Sequence, residues 1–460
     1  MPVSSNRASS VAPARRSRSA SRSRTGSAPT ASSNRASSVA PTASSNRASS
    51  VAPTRRSRGA SGSRTLPASP NRARSARSAP VAARRTKTAA VATKAESVQV
   101  GMGSTPFIVI VCLVVCFSLL GLTMVLSASS VTSLTTTGSP WGVFTSQAVW
   151  LGLGAAVCLA ATFFDYHLLR RITVPALIVS IALLGLVLLP GLGVSVNGAQ
   201  RWLRLGPIQF QPSELAKLAL VLFAADNLAR SDSVDVRRSL KPIMAVLVVY
   251  GGLILLQPNL GTTIIIFAIG ITALFASGVQ LQIVGSIGMF SAICATGLAY
   301  FASYRRERLL AFRDPWSDPL DTTWQTLNSL VSVANGGVTG VGIGQSRGKF
   351  GFLPEAHNDF VFAVTAEEFG LVGASVVVVG FVLFGLVSLV VARRADRFGA
   401  LLVIGVTSWI LVQAFINIGG VLGVLPLTGV PLPFMSAGGT SLITTLAGVG
   451  IVLNVARSHR

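Results

Sequence analysis

The segment FGFLPEAHNDFVF, residues 350–362, sets Glu355, His357 and Asp359 within five residues at the mouth of a long apolar run. Ionisable groups are costly to bury. A carboxylate held at such a boundary can accept a proton from a neutral hydroxyl and turn it into a nucleophile. Two other stretches offer partners. QPSELAKLAL (211–220) puts Glu214 and Lys217 three residues apart, hence on one helical face. It reads either as a bundle-stabilising ion pair or as the wall of a polar cavity. NGAQRWLRLG (197–206) sets Arg201 and Arg204 beside Trp202, a grouping that serves as an interfacial anchor or as a bidentate phosphate binder.

Other clusters read as architecture. Glu367 and Glu368 are adjacent, so both cannot face one site on a helix, and they are expected to be structural. DPWSDPLD (314–321) spaces Asp314, Asp318 and Asp321 as cation ligands could be spaced, although turn chemistry explains them equally. GGVTGVGIGQSRGKF (336–350) lacks the GxxxxGK[ST] spacing of a phosphate loop. Four cysteines, Cys112, Cys116, Cys158 and Cys294, lie in apolar stretches and read as small hydrophobes. Three histidines, His167, His357 and His459, are too few and too scattered for a histidine-built metal site.

The elements that must position these groups are membrane helices. Half of the 460 residues are hydrophobic and 12% are charged, against roughly 25% in soluble domains; the mean hydropathy is +0.62. Ten apolar segments are predicted, near 106–127, 144–163, 172–190, 208–228, 241–257, 259–277, 282–301, 360–391, 398–417 and 437–456. The fold class expected is an all-α polytopic membrane protein with ten transmembrane helices over 106–456. FDYHLLRR (164–171), ARSDSVDVRRSLK (229–241) and ARRADR (392–397) carry the loop charge, which places both termini in the cytoplasm. Residues 302–358 then form a large extracytoplasmic loop between helices 7 and 8, so the three groups of the opening motif face the outer leaflet. Arg305 and Arg306 lie near its start.

Residues 1–100 hold 19 of the 39 Lys and Arg with a single acid, Glu96, and repeat SSNRASSVAP three times. This Arg/Ser/Ala/Pro-rich stretch lacks the apolar residues for a core and is expected to be a disordered cytoplasmic tail. It has no apolar stretch suited to a signal peptide. The high overall charge resides in the tail, and no nucleic-acid partner is expected.

Six motifs in order carry a resemblance: NGAQRW (197–202), FQPSELAK (210–217), QPNLGT (257–262), the run from Arg308 to Ser346, FLPEAHNDFVFAVTAEEFGLVG (352–373) and LPLTGVPLPFMSAGGTSLI (425–443). The membrane part resembles the SEDS family (shape, elongation, division and sporulation), polytopic peptidoglycan polymerases, and looks more like its division type than its elongation type. The resemblance implies a glycosyltransferase that extends glycan strands from lipid II on the outer face of the cytoplasmic membrane, at the division septum. It also implies a class B penicillin-binding protein and other divisome proteins as partners. Asp359 matches the family's essential acid and is the expected general base. Arg201, Lys217 and arginines such as Arg305 and Arg306 are expected to meet the departing pyrophosphate, with Trp202 beside them and a divalent cation such as Mg2+ or Mn2+ as a candidate helper. Glu214 would hold Lys217, His357 would hydrogen-bond behind the acid, and Glu355 would orient the loop. Asn259 stands where Asp is commoner, and HND replaces HTD. A lipid II flippase and a non-catalytic division scaffold are the rival readings.

Overall fold

The computed structural model describes residues 105–458 except 197–198, 207, 231–235, 302–305, 307–311, 315 and 317–322. The tail at 1–100, Arg305 and Asp318 lie outside the described residues.

The chain runs α1 (Thr105–Thr137), α2 (Gly142–Phe163), a 3-10 turn (Tyr166–Leu168) and α3 (Leu169–Val187). Three short strands follow: β1 (Gly193–Val196), β2 (Ala199–Leu205) and β3 (Ile208–Phe210). Then come α4 (Pro212–Ala229), α5 (Val236–Leu256), α6 (Leu260–Ala276), α7 (Leu281–Phe301), α8 (Trp324–Asn335), α9 (Val361–Arg394), α10 (Arg397–Val421) and α11 (Gly439–Ser458). Each of the ten predicted segments falls on one of these helices. Seven are long and apolar enough to cross a membrane: α1, α2, α3 with its leading turn, α5, α9, α10 and α11. The apolar α6 and α7 are shorter, and α4 carries Glu214, Lys217 and Asp226.

Burial separates core helices from outer ones. α10 packs against α4, α6, α9 and α11, and its most apolar stretch is 67% buried; that of α2 is only 11% buried. The outer helices present apolar side chains such as Val149, Leu159, Met289, Ile293, Val376 and Val379. Such a surface suits hydrocarbon, not water.

The chemistry-bearing groups segregate to opposite ends. At one end Tyr166 donates to Asp396 (2.6 Å), Arg170 lies 4.4 Å over the Phe398 ring, and Arg230 pairs with Asp226 at 2.9 Å. These residues come from the three charged loops, or lie within one helical turn of them, and they meet as one face. Burial opposes ionisation of Asp396, but hydrogen bonds from Tyr166 and the amides of Gly399 and Phe398 outweigh it and hold its carboxyl below the ordinary range. Glu214 stands twelve residues from Asp226 along α4, about 18 Å up the axis, at the other end.

Three features depart from the expectation. The segment 193–210 is an antiparallel three-stranded sheet in the order β1-β2-β3, so the fold is mostly but not wholly helical. α4 consequently starts not near 208 but at Pro212, where proline suits the first helical position, and Glu214 lies in its first turn. Finally, α9 is broken at Gly370 (φ 65°, ψ −162°). The glycine-rich run pairs with the break through backbone bonds: Val341 N to Glu367 O (3.0 Å), Gly342 N to Glu368 O (3.1 Å) and Leu371 N to Gly337 O (2.9 Å). A Cβ on Gly340 would sit 2.1 Å from the Glu368 carbonyl oxygen, so the glycines permit backbone to touch backbone. Such a break at membrane depth is tolerable because another segment satisfies the freed groups. Glu367 accepts from Ser346 Oγ (2.5 Å) and the Arg347 amide (3.1 Å), and Glu368 accepts from Ser127, so both glutamates are structural, as expected.

Candidate active site

At the end of the bundle opposite the charged loops lies a groove of about 210 Å³. β2 contributes Arg201 and Trp202, α4 contributes Glu214, and the approach to α9 contributes Glu355, Asn358 and Asp359. The opposite wall is Thr428, Gly429 and Pro431, and Gly438, Thr440 and Ser441 form the floor at the start of α11.

Each wall has a local cause. Val194 pairs with Trp202 and Ser195 with Gln200, so Arg201 is the extra residue of a β-bulge. A bulge re-aims its side chain out of the pleat. The Arg201 guanidinium reaches the carbonyls of Gln257 (3.3 Å) and Pro258 (2.5 Å), which tether the sheet to the α5–α6 connection. Asn259 caps α6 by accepting from the Thr262 amide at 3.2 Å, which explains an asparagine at that position without chemistry. Glu355 has φ 56°, a left-handed conformation that costs a non-glycine residue roughly 1–2 kcal/mol. Its turn closes through Asn358 N to Glu355 O (2.9 Å) and a bond from the Asn358 side chain to the Glu355 carboxylate. Asp359 lies two residues before α9 and is half-buried; a Cβ on Gly429 would stand 3.4 Å from its Oδ2.

Five of the residues singled out from sequence therefore share the groove: Asp359, Glu355, Arg201, Trp202 and Glu214. The others stand elsewhere. Lys217 is fully buried behind the wall, with Nζ 2.8 Å from Glu214 Oε1 and 2.7 Å from Gln413 Oε1, and 4.9 Å over the Trp409 ring. It holds Glu214 and is not presented to the groove, which corrects its expected contact with pyrophosphate. His357 does not line the groove; its carbonyl accepts from Ala437 N (2.9 Å), tying the acidic loop to the floor. Burial pushes its imidazole below the ordinary value of 6.5, with Glu355 acting the other way. Arg306 is exposed. Asp314 is exposed and accepts from the Trp316 amide at 3.2 Å, as a turn residue does. Among the described residues no three His, Cys, Asp or Glu side chains are grouped to hold a metal ion.

Sequence reasoning missed Gln147, Gln413 and Asn417, which brace the groove. Gln147 donates to Ser436 O (3.2 Å) and accepts from Gly438 N (3.3 Å). The available signal was an amide at a helix position otherwise apolar.

A polytopic, mostly helical membrane protein with an acid-bearing polar groove at one end of the bundle is the class these observations define. The family model described as "Cell cycle protein" (FTSW_RODA_SPOVE) matches residues 107–460, and the chain belongs to this family. A "Probable peptidoglycan glycosyltransferase FtsW" of Mycobacterium tuberculosis is 40% identical over 363 residues, covering 78% of this chain and 69% of that protein. A protein of the same description from Geobacter sulfurreducens is 38% identical over 351 residues, covering 76% of this chain and 94% of its own. Among solved structures, one described as "Structural coordination of polymerization and crosslinking by a peptidoglycan synthase complex" aligns with a TM-score of 0.63 at 32% identity, over 76% of this chain and 97% of that one. The rod shape determining protein RodA of Thermus thermophilus aligns with a TM-score of 0.57 at 29% identity, over 76% and 96%.

Proposed function

We propose that this chain is a peptidoglycan glycosyltransferase that polymerises lipid II into glycan strands, with Asp359 as general base. The observation that carries the reading is the convergence of Asp359, Glu355 and Arg201 in one groove of a family member whose relatives bear that activity in their names. Asp359 accepts the proton of the attacking sugar hydroxyl as its oxygen bonds to the anomeric carbon of the second substrate. The bond from that carbon to the polyprenyl diphosphate breaks, and the diphosphate leaves with the electron pair. Positioned proton transfer of this kind contributes about 10²–10⁴-fold. Arg201 is the groove's cation for the developing diphosphate charge. Trp202 offers an aromatic face to sugar or lipid, and Lys217 holds the Glu214 side chain in place.

The described residues do not fit a protein-built cage for Mg2+ or Mn2+, so no step is routed through one. The reading places the groove outside the cell, the charged loops and both termini in the cytoplasm, and ten helices across the membrane, with the division septum as the site of action. A class B penicillin-binding protein is the expected cross-linking partner, alongside other divisome proteins. A flippase would need polar groups along both halves of the bilayer; the groove instead gathers Arg201, Glu214, Glu355 and Asp359 at one end of the bundle, which favours the transferase. The test is to feed labelled lipid II to the purified chain with its transpeptidase. Gel-resolved strands insensitive to a penicillin-binding-protein glycosyltransferase inhibitor support the proposal; intact lipid II after prolonged incubation contradicts it.

A further inference from the structure

Along α10, Trp409, Gln413 and Asn417 recur every four residues and share one face of a helix built mostly of apolar side chains. All three are buried, at 0%, 0% and 5% exposure. Gln413 Oε1 accepts from Lys217 Nζ (2.7 Å) and from Trp409 Nε1 (2.8 Å), and its Nε2 donates to Pro431 O (2.9 Å). Asn417 Nδ2 donates to two carbonyls at once, Asp359 O and Val430 O, each at 2.8 Å.

These bonds reach three walls of the groove. Gln413 fixes Lys217, which fixes Glu214, and it holds Pro431. Asn417 joins the backbone at the acid to the strip opposite, where Gly429 lies close to the Asp359 carboxylate. A purely architectural amide needs only to satisfy stray carbonyls, as Asn454 does at the other end of the bundle by donating to Ala161 O at 2.7 Å. The α10 amides differ in that the groups they hold carry or flank the ionisable side chains of the groove.

We infer that Gln413 and Asn417 are positioning residues for the transfer reaction: a polar ladder on α10 that sets the Asp359 carboxylate against the 428–431 wall and the Glu214 wall. The inference rests on the reading of Asp359 as base. Neither residue touches the reacting atoms, so each acts through the placement of others. A displacement of about 1 Å at a reacting group costs on the order of 100-fold in rate.

The test uses the full-length chain in lipid nanodiscs with lipid II. Asn417→Leu keeps the volume and removes the donor, Gln413→Met removes both of its clamps, and Asn454→Leu is the control for loss of a buried amide. The expected result is a fall of about 100-fold in kcat for Asn417→Leu and Gln413→Met with KM changed by less than about twofold. Asn454→Leu should lower the unfolding temperature to a similar extent while keeping the parental kcat per folded molecule. Parental kcat in Asn417→Leu overturns the inference, as does activity lost by all three variants only in proportion to folded protein. Should Asn417→Leu fail to fold, Gln413→Met decides between the same two outcomes. Asp359→Asn is run in parallel. If it retains full turnover the base assignment fails, whereas an inactive Asp359→Asn beside a fully active Asn417→Leu sinks the ladder alone.

Discussion

Lys217→Met is the substitution whose cost follows most directly from the structure. The ammonium lies 2.8 Å from Glu214 Oε1 and 2.7 Å from Gln413 Oε1, and both charged side chains are 2% exposed or less. Glu214 Oε2 already has no hydrogen-bond partner among the described residues. Methionine fills most of the space and removes the charge, which strands the carboxylate with neither oxygen paired to a cation. Breaking a buried pair from one side costs about 3–5 kcal/mol, because the remaining charge is uncompensated. Replacing both members, as Glu214→Gln with Lys217→Met, removes that penalty, so the double variant should be more stable than the sum of the singles by about 0.5–3 kcal/mol. Unfolding in mixed micelles of increasing denaturing detergent measures this, with the fluorescence of Trp409, 4.9 Å from Nζ, as a local reporter. A Lys217→Met protein that unfolds with the parent, or single variants that add without coupling, would refute the claim that the two side chains form a buried, coupled ion pair.

Three further outcomes follow from local geometry. Gly340→Ala should abolish accumulation of folded protein, since its Cβ would lie 2.1 Å from the Glu368 carbonyl oxygen; Gly344→Ala, with positive φ but nothing within 4 Å, should cost only about 1–2 kcal/mol. Size-exclusion profiles after detergent extraction distinguish the two. Gly429→Ala brings a methyl to 3.4 Å from Asp359 Oδ2 at a position with φ +68°, and should lower kcat more than it lowers the unfolding temperature. The depressed pKa of His357 means the unfolded state binds its proton first as pH falls. Its contribution to stability is therefore complete above about 6.5 and is lost on acidification through the lower folded value, with a slope of at most about 1.4 kcal/mol per pH unit. Unfolding midpoints between pH 8 and pH 5 should flatten in His357→Gln.

Much of this fold was readable because hydropathy and loop charge answer directly to membrane physics: each predicted apolar segment falls on a helix, and the three charged loops meet at one end. The sheet at 193–210 was not, since three strands this short leave little periodic signal. The bulge that aims Arg201 depends on a register between β1 and β2 that only pairing reveals. The break at Gly370 was hidden because a single glycine within a long helical run does not by itself announce that the helix is interrupted there. For the site, the acids and Arg201 could be named from residue type and motif. Lys217 could not be placed, because spacing puts it on the same face as Glu214 without saying which of the two reaches the groove. Gln413 and Asn417 stayed invisible because their importance lies in the carbonyls they hold, and those belong to segments far away in sequence.

The measurement that bears most directly on the whole account is single-turnover transfer from labelled lipid II by Asp359→Asn, with folding verified beside the parent. Asparagine preserves the shape and the backbone clamp to Asn417 while removing the proton acceptor. A loss of about 10²-fold or more at unchanged substrate binding is the predicted result; glycan strands formed at the parental rate would contradict it.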